Sequence, residues 1–304
     1  MRINGRTTAG GLAAPDKQTA TLPARFWQNC TLMSLDCGPP LSRQLSAQEQ
    51  TTMAAQIRTW AAELGFAQLG IADIELAEHE AYLQKWLDAG YHGSMAYMAR
   101  HGVKRARPDQ LVPGTCRVIS VRMDYLADGT RPLEVLAAPQ KAYISRYALG
   151  RDYHKLVRKR LANLAQRIRD LAGGGQYRAF VDSAPVLERA IAERAGMGWI
   201  AKNTMLINAQ AGSWFFLTDL PLPADAPQVG KHCGSCTACL DICPTRAFTG
   251  PFQLDARKCI SYLTIEHRGA IDPALRPLLG NRVFGCDDCQ LVCPWNKFAR
   301  ATLE

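Results

Sequence analysis

Apolar residues return at helical spacing from Ser46 onward. Met53, Ile57, Trp60, Ala61 and Leu64 fall on one face, the period of a helix that packs along one side. Ser46-Ala47-Gln48-Glu49 has the form of a capping box and sets the start. Gly65 offers the stop. Phe66 to Ala72 then reads as a strand, Leu76 to Ala89 as a second helix ending near Gly90, and Arg117 to Tyr125 as a strand rich in Val and Ile. Val157, Leu161, Leu164, Ile168 and Leu171 keep the helical period from Tyr153 onward, while Lys155, Arg158, Lys159 and Arg167 fall mostly off that face. Gly173-Gly174-Gly175 predicts a turn, and Tyr177 to Val181 a short strand. Pro185 suits the first turn of a helix running to Ala195. Met205 to Asn208 and Ser213 to Thr218 read as paired strands. Strands mixed with helices predict an α+β or α/β unit over residues 46–228. Residues 1–45 keep no period, so the expectation there is a disordered leader or an over-long reading-frame start, with Met33 and Met53 as later candidate starts.

Composition narrows the class. The 304 residues are 47% hydrophobic and 21% charged, as in ordinary soluble proteins. No apolar run approaches a bilayer's thickness and no export signal opens the chain, so a cytoplasmic protein with no membrane partner is expected. A formal charge of +9 fits a solvated cationic surface and also makes nucleic acid a partner to test.

Cysteine spacing changes the picture most. Of eleven cysteines, eight crowd into the last quarter, at metal-ligand intervals rather than in a disulfide framework. Cys233, Cys236, Cys239, Cys243 and Pro244 form the bacterial ferredoxin run. Three thiolates of such a run wrap one cubane, and the fourth serves a neighbouring one. A second run, Cys286, Cys289, Cys293 and Pro294, lacks one cysteine, which Cys259 upstream can supply. Crossed ligation then gives Cys233, Cys236, Cys239 and Cys293 to one four-iron cluster. Cys243, Cys259, Cys286 and Cys289 go to the other. Zinc is the alternative for soft thiolates, but zinc sites more often use separated pairs. Cys30, Cys37 and Cys116 lie outside the segment and read as ordinary thiols. The expected second unit, residues 229–304, is therefore a ferredoxin-like domain with two [4Fe-4S] clusters.

Clusters move electrons without naming a reaction, so the first unit should hold the chemistry. Asp182 follows a predicted strand and precedes a predicted helix, a place where open sheets bind ligands. Asp182 or Ser183 as a plain N-cap fits the same pattern. His101, His154 and the stretch Arg100 to Arg107 are further candidates, with a solvated basic loop as the other reading.

Ordered words across both units resemble the epoxyqueuosine reductase family. They include Tyr91-His92-Gly93, Ser145 to His154, Val181 to Arg189, Gly198 to Asn203, Cys233 to Pro244, Cys259 to Glu266 and Gly285 to Trp295. The resemblance implies an α+β (α/β-type) cobalamin-binding domain followed by the two-cluster domain. It implies Asp182 as proton donor, raised in pKa by burial beside the corrinoid. It also implies cofactor contacts from Arg105, Tyr147, Tyr153, His154, Asp182, Ser183, Lys202, Asn203 and Ser213. The implied substrate is tRNA carrying epoxyqueuosine in the anticodon loop, reduced to queuosine with an external electron donor by a monomer. A reductive dehalogenase-like corrinoid enzyme and a non-catalytic electron carrier are the alternatives. Family members carry a helical-repeat tail after the last cluster cysteine. Eleven residues follow Cys293 here, so a fold without that tail is expected.

Overall fold

The computed structural model describes residues 47–171, 178–182, 184–221, 230 and 232–302. The leader with Met33, Cys30 and Cys37, the capping Ser46, the glycine turn at 173–175, Tyr177 and Ser183 lie outside the described residues. The first unit runs α1 (Ala47–Glu63), β1 (Gln68–Asp73), α2 (Ala77–Asp88), α3 (Tyr97–Arg100), α4 (Pro108–Leu111), β2 (Arg117–Asp124), α5 (Pro132–Leu136), β3 (Tyr143–Ile144) and α6 (Tyr153–Leu171). It continues with α7 (Glu188–Arg194), β4 (Trp199–Ile200), β5 (Leu206–Ile207) and β6 (Phe215–Pro221).

Its centre is the sheet β1-β2-β6, antiparallel throughout. The α/β expectation is corrected here, because no parallel strands build this sheet and the unit is α+β. Strand alternation sends side chains to two faces. Ile71, Ile119, Val121 and Leu220 pack against Ile57 and Ala61 of α1 and Val157, Leu161 and Leu164 of α6. Ala72, Val118 and Phe215 face Ala190, Ile191 and Ala192 of α7. Helices thus cover both faces, which explains why β2 is buried at every inner position rather than reading as an alternating half-exposed strand. Gly70 permits the close approach of the α7 end: a Cβ there would stand 2.5 Å from the Ala195 carbonyl oxygen.

Three local expectations differ from the structure. Residues 178–181 form no strand; Phe180 alone bridges Asp219, its N–H and C=O bonded to the Asp219 backbone at 3.1 and 3.2 Å. The helix after Asp182 starts at Glu188, not at Pro185, because Leu187 turns its N–H onto the Arg105 carbonyl. Residues 205–208 and 213–218 are not partners. β5 pairs with β4 and β6 with β2, and the bridge from Asn208 to Gly212 closes the turn that separates the two stretches.

The second unit contains α8 (Ala238–Asp241), β7 (Phe248–Gly250), β8 (Gln253–Leu254), α9 (Ile260–Ile265), α10 (Arg276–Leu279), β9 (Arg282–Phe284) and α11 (Asp288–Leu291). It is stitched to the first. β3 and β9 pair in parallel. The Trp86 indole donates to the Leu254 carbonyl at 2.6 Å, and the Tyr262 hydroxyl accepts the Ser94 N–H at 2.7 Å. Asp287, only 1% exposed, accepts from the Tyr143 hydroxyl at 2.7 Å, the Arg146 N–H at 2.8 Å and the Ser145 hydroxyl. A buried carboxylate with three donors is a stable anchor, and it sits between Cys286 and Cys289. Among the described residues no helix is long and apolar enough to cross a membrane.

Candidate active site and metal centres

The thiols gather into two sets. Cys233, Cys236, Cys239 and Cys293 line one cavity of about 340 Å³ with Trp295, whose ring meets that of Trp199 edge-on at 4.9 Å. Among the described residues no three His, Cys, Asp or Glu side chains converge on a single-ion point; the four sulfurs surround a volume. Burial pushes the Cys239 thiol up to about 11, with Cys293, Cys233 and Cys236 adding repulsion. In the other set, burial lifts the thiols of Cys259, Cys286 and Cys289, and their mutual proximity, with Cys243 near, lifts them further. Grouped thiols that resist ionisation on their own are what a cationic iron core relieves on binding. Lys202 and Asn203 reach the cysteine loops. The Lys202 ammonium donates to the Gly234 and Cys236 carbonyls at 2.7 and 2.9 Å, and the Asn203 amide donates to the Cys289 carbonyl at 3.2 Å.

Asp182 stands on an open face. Its φ is 51°, a left-handed conformation that Asp tolerates better than most residues. It is not an N-cap: Leu187 holds that place on α7 and makes no side-chain cap bond. The Asp182 side chain is 59% exposed. Polar partners define it instead. Tyr153 donates its hydroxyl to Asp182 Oδ2 at 3.0 Å, and His154 Nε2 lies 3.0 Å from the same oxygen. His154 Nδ1 meets Asp152 Oδ1 at 2.9 Å. Both ring nitrogens therefore face carboxylates, which suits the doubly protonated ring.

Burial and then the Asp182 charge raise the Tyr153 hydroxyl well above the phenol range, which keeps it a donor. Partial burial opposes a charge on His154, but the hydrogen bonds to Asp182 and Asp152 outweigh it and raise its pKa above the ordinary value. A histidine raised on folding, above about 6.5, stabilises the fold fully below that value and loses the contribution as pH rises through the folded one. The melting-temperature deficit of His154→Gln is therefore expected to be larger near pH ~6 than near pH ~9; an equal deficit at both pH values rejects a charged His154.

Aromatic rings extend the site. Phe216 stacks on Tyr153 at 3.7 Å, Tyr153 meets Tyr147 edge-on at 6.4 Å, and Tyr147 approaches Phe284 at 6.3 Å. Phe284, two residues from Cys286, and Ile144, its neighbour in the β3–β9 pairing, are exposed and continue this surface as an apolar shelf. Tyr97 closes another side: burial, then Glu266 and Asp182, raise its hydroxyl. The structure thus brings Tyr147, Tyr153, His154 and Asp182 together. Other predicted contacts make hydrogen bonds elsewhere among the described residues. The Arg105 guanidinium binds the Met98 and Tyr97 carbonyls at 3.0 and 2.7 Å, while Ser213 binds Asn296 and Gln290 near the clusters. Sequence reasoning passed over Tyr97, Glu266, Glu188 and Asp219. Only Asp219 carried a signal, a lone acid in the apolar run Phe215 to Leu220.

Residues 232–296 match the family described as 4Fe-4S double cluster binding domain. Residues 105–183 match the family described as epoxyqueuosine reductase QueG, DUF1730. The chain is 65% identical over 267 residues to the epoxyqueuosine reductase of Pseudomonas aeruginosa, covering 86% of this chain and 74% of that protein. It is 58% identical over 269 residues to that of Xanthomonas campestris pv. campestris, covering 87% and 76%. Its fold is similar to a crystal structure of epoxyqueuosine reductase with a tRNA-Tyr epoxyqueuosine-modified tRNA stem loop. That likeness has a TM-score of 0.73 and 30% identity over 84% of this chain and 68% of the other.

Proposed function

The chain belongs to the epoxyqueuosine reductase family, and from that premise we propose that it reduces epoxyqueuosine to queuosine at the tRNA wobble position, with Asp182 as proton donor. One observation carries the assignment of the site: Asp182, held by Tyr153 and His154, is joined through the rings of Tyr153 and Tyr147 to Phe284, two residues before Cys286. In this reading residues 46–228 bind substrate and cofactor, and residues 229–304 deliver electrons. The two thiol sets hold two [4Fe-4S] clusters, consistent with the double-cluster family match.

The reaction removes an epoxide oxygen. Both C–O bonds break, a carbon–carbon double bond forms, and two electrons with two protons carry the oxygen away as water. Side chains cannot supply those electrons, and bound cobalamin would provide the strong two-electron reductant. The residues present fit such a group. An exposed apolar shelf is the kind of surface that ligands cover, and Tyr97, Tyr147 and Tyr153 rim it with polar tips. Asp182 gives its proton to the leaving oxygen. The two donors on Oδ2 stabilise the carboxylate that remains. Charged His154, 3.0 Å away, refills the acid.

A flipped-out anticodon base reaches such an open face more readily than a paired one. Arg100, Lys104, Arg151, Lys155, Arg158 and Lys159 are exposed and offer cations for RNA phosphates. The test uses anaerobically cluster-loaded protein, cobalamin, a reductant and epoxyqueuosine-containing tRNA, with nucleosides read by mass spectrometry. Loss of one oxygen to give queuosine supports the reading. No conversion, with clusters and corrinoid confirmed present, counts against it.

A further inference from the structure

The turn that joins β4 to β5 reaches both thiol sets. Its backbone is fixed from several directions. The Ala201 N–H donates to the Met205 carbonyl at 2.9 Å, and the Thr204 N–H to the Ala201 carbonyl at 2.8 Å. The Phe252 N–H of the second unit donates to the Lys202 carbonyl at 2.9 Å. The Arg189 guanidinium of α7 binds the carbonyl of Thr204, a left-handed residue at φ 63°. Two side chains leave this frame. Asn203, 3% exposed, accepts the Met205 N–H at 3.2 Å and donates to the Cys289 carbonyl at 3.2 Å. Lys202 serves the first set: its ammonium donates to the Gly234 and Cys236 carbonyls, and the residue lines the cavity of those four cysteines.

We propose that Lys202 is a positioning residue that sets the redox character of the cluster held by Cys233, Cys236, Cys239 and Cys293. It braces the ligand loop, and its positive charge raises the reduction potential of the cluster. The proposal rests on the reading that this set holds a [4Fe-4S] cluster.

The loop needs a brace. Gly234, Ser235 and Cys236 are exposed, and nothing lies within 4 Å of where a Gly234 Cβ would stand. The two bonds from Lys202 tie this outer stretch to a turn that the first unit holds rigid. The charge follows from the same bonds. Among the described residues both partners of the ammonium are neutral carbonyls, so no carboxylate there cancels it.

A four-iron core on four thiolates carries net negative charge, and reduction adds one more. A fixed cation at the cavity wall therefore stabilises the reduced form more than the oxidised one, and net charge is one of the levers on such potentials. The apolar side chains of Ile207, Trp295 and Phe298 line the same cavity, which weakens screening by water. Lys297 also lines it, but its ammonium lies over the Phe298 ring at 4.9 Å. A cluster raised in this way accepts electrons from a weaker external reductant.

A redox titration of the cluster-loaded protein, followed by electron paramagnetic resonance, reads this without turnover. Lys202→Gln keeps an N–H donor for the carbonyls and loses the charge. It is expected to retain the iron of both clusters and to lower one of the two midpoint potentials, leaving the other in place. At the wild-type midpoint the reduced-to-oxidised ratio of that cluster should fall about tenfold, ~59 mV for a one-electron couple. Lys202→Arg, which restores the charge, is expected to recover most of the shift. Lys202→Met, with neither donor nor charge, is expected to release iron to a chelator faster than Lys202→Gln. Wild-type midpoints in Lys202→Gln overturn the proposal, as does an equal shift of both midpoints or an equal fall in Lys297→Gln. If Lys202→Gln does not hold the first cluster, Lys202→Arg decides: full iron with a wild-type midpoint supports the charge, and a lowered midpoint overturns it. A loaded wild-type protein that lacks one cluster overturns the ligand reading as well, so the two failures are distinguishable.

Discussion

Asp182→Asn is expected to keep both clusters and stem-loop affinity while losing about a hundredfold to ten-thousandfold in kcat, the range that a general acid contributes. The choice of Asn matters physically. Asp182 sits at φ 51°, where Asn is tolerated as Asp is, whereas Ala adds left-handed strain of about 1–2 kcal/mol and confuses chemistry with backbone collapse. Asn also retains an oxygen for the Tyr153 hydroxyl and His154 Nε2, both 3.0 Å from Oδ2 in the parent, and the backbone N–H that binds Glu188. What it lacks is a transferable proton. A fall in kcat at unchanged KM, with unchanged visible absorption from the clusters, therefore isolates proton delivery. Tyr153 cannot readily substitute, because burial and the adjacent carboxylate hold its proton tightly. Full activity in the variant removes Asp182 as the donor and turns attention to His154, which sits between two carboxylates.

Long periodic elements were legible in the sequence, because a helix that covers a sheet must repeat its apolar residues. The face built by Val157, Leu161, Leu164 and Ile168 is the one that packs on Ile119 and Val121. The ligand spacing was legible for a chemical reason, since a cubane dictates how close its thiolates lie in the chain. One cavity gathers Cys233, Cys236, Cys239 and Cys293, the four cysteines that the crossed assignment gives to one cluster. Other features depended on contacts that local pattern does not encode. The helix after Asp182 starts late because Arg105, far back in the chain, accepts the Leu187 N–H. The strand at Phe215 finds β2 rather than its nearer neighbour, because both carry apolar residues on two faces while β4 and β5 are only two residues long. Glu188 was unreadable as a partner of Asp182, since the turn joining them has no period and the bond depends on a left-handed residue. Lys202 and Asn203 were assigned to the corrinoid through the family likeness. Their hydrogen bonds to carbonyls of the cysteine loops depend on long-range contacts that no local pattern encodes.

Cys259→Ser is expected to cost one cluster and spare the other, leaving about half of the iron. In the crossed assignment Cys259 supplies the ligand that the second cysteine run lacks, and the structure brings it beside Cys286 and Cys289 from the start of α9. Serine is a harder oxygen donor that iron–sulfur cores hold less well than thiolate, and Cys259→Ala removes even that substitute. The first set shares no ligand with Cys259, so its cavity and its spectrum should persist. The loss should also reach stability. Cys259 packs with Ile260, Tyr262 and Leu263 against Trp86 and Met95 of the first unit, so an unfilled second site loosens the seam made by Tyr262 and Ser94. Melting of the variant should therefore begin at this seam, with early exposure of Trp86, whose indole bonds the Leu254 carbonyl across the same boundary. Electron paramagnetic resonance of the reduced protein separates the outcomes. One remaining signal without spin coupling to a neighbour supports the crossed assignment, and two unperturbed, coupled signals reject Cys259 as a ligand. Cys116→Ser provides the comparison, because Cys116 donates toward the Gly114 carbonyl at 3.7 Å, away from both sets, and its loss should leave iron content and both signals intact.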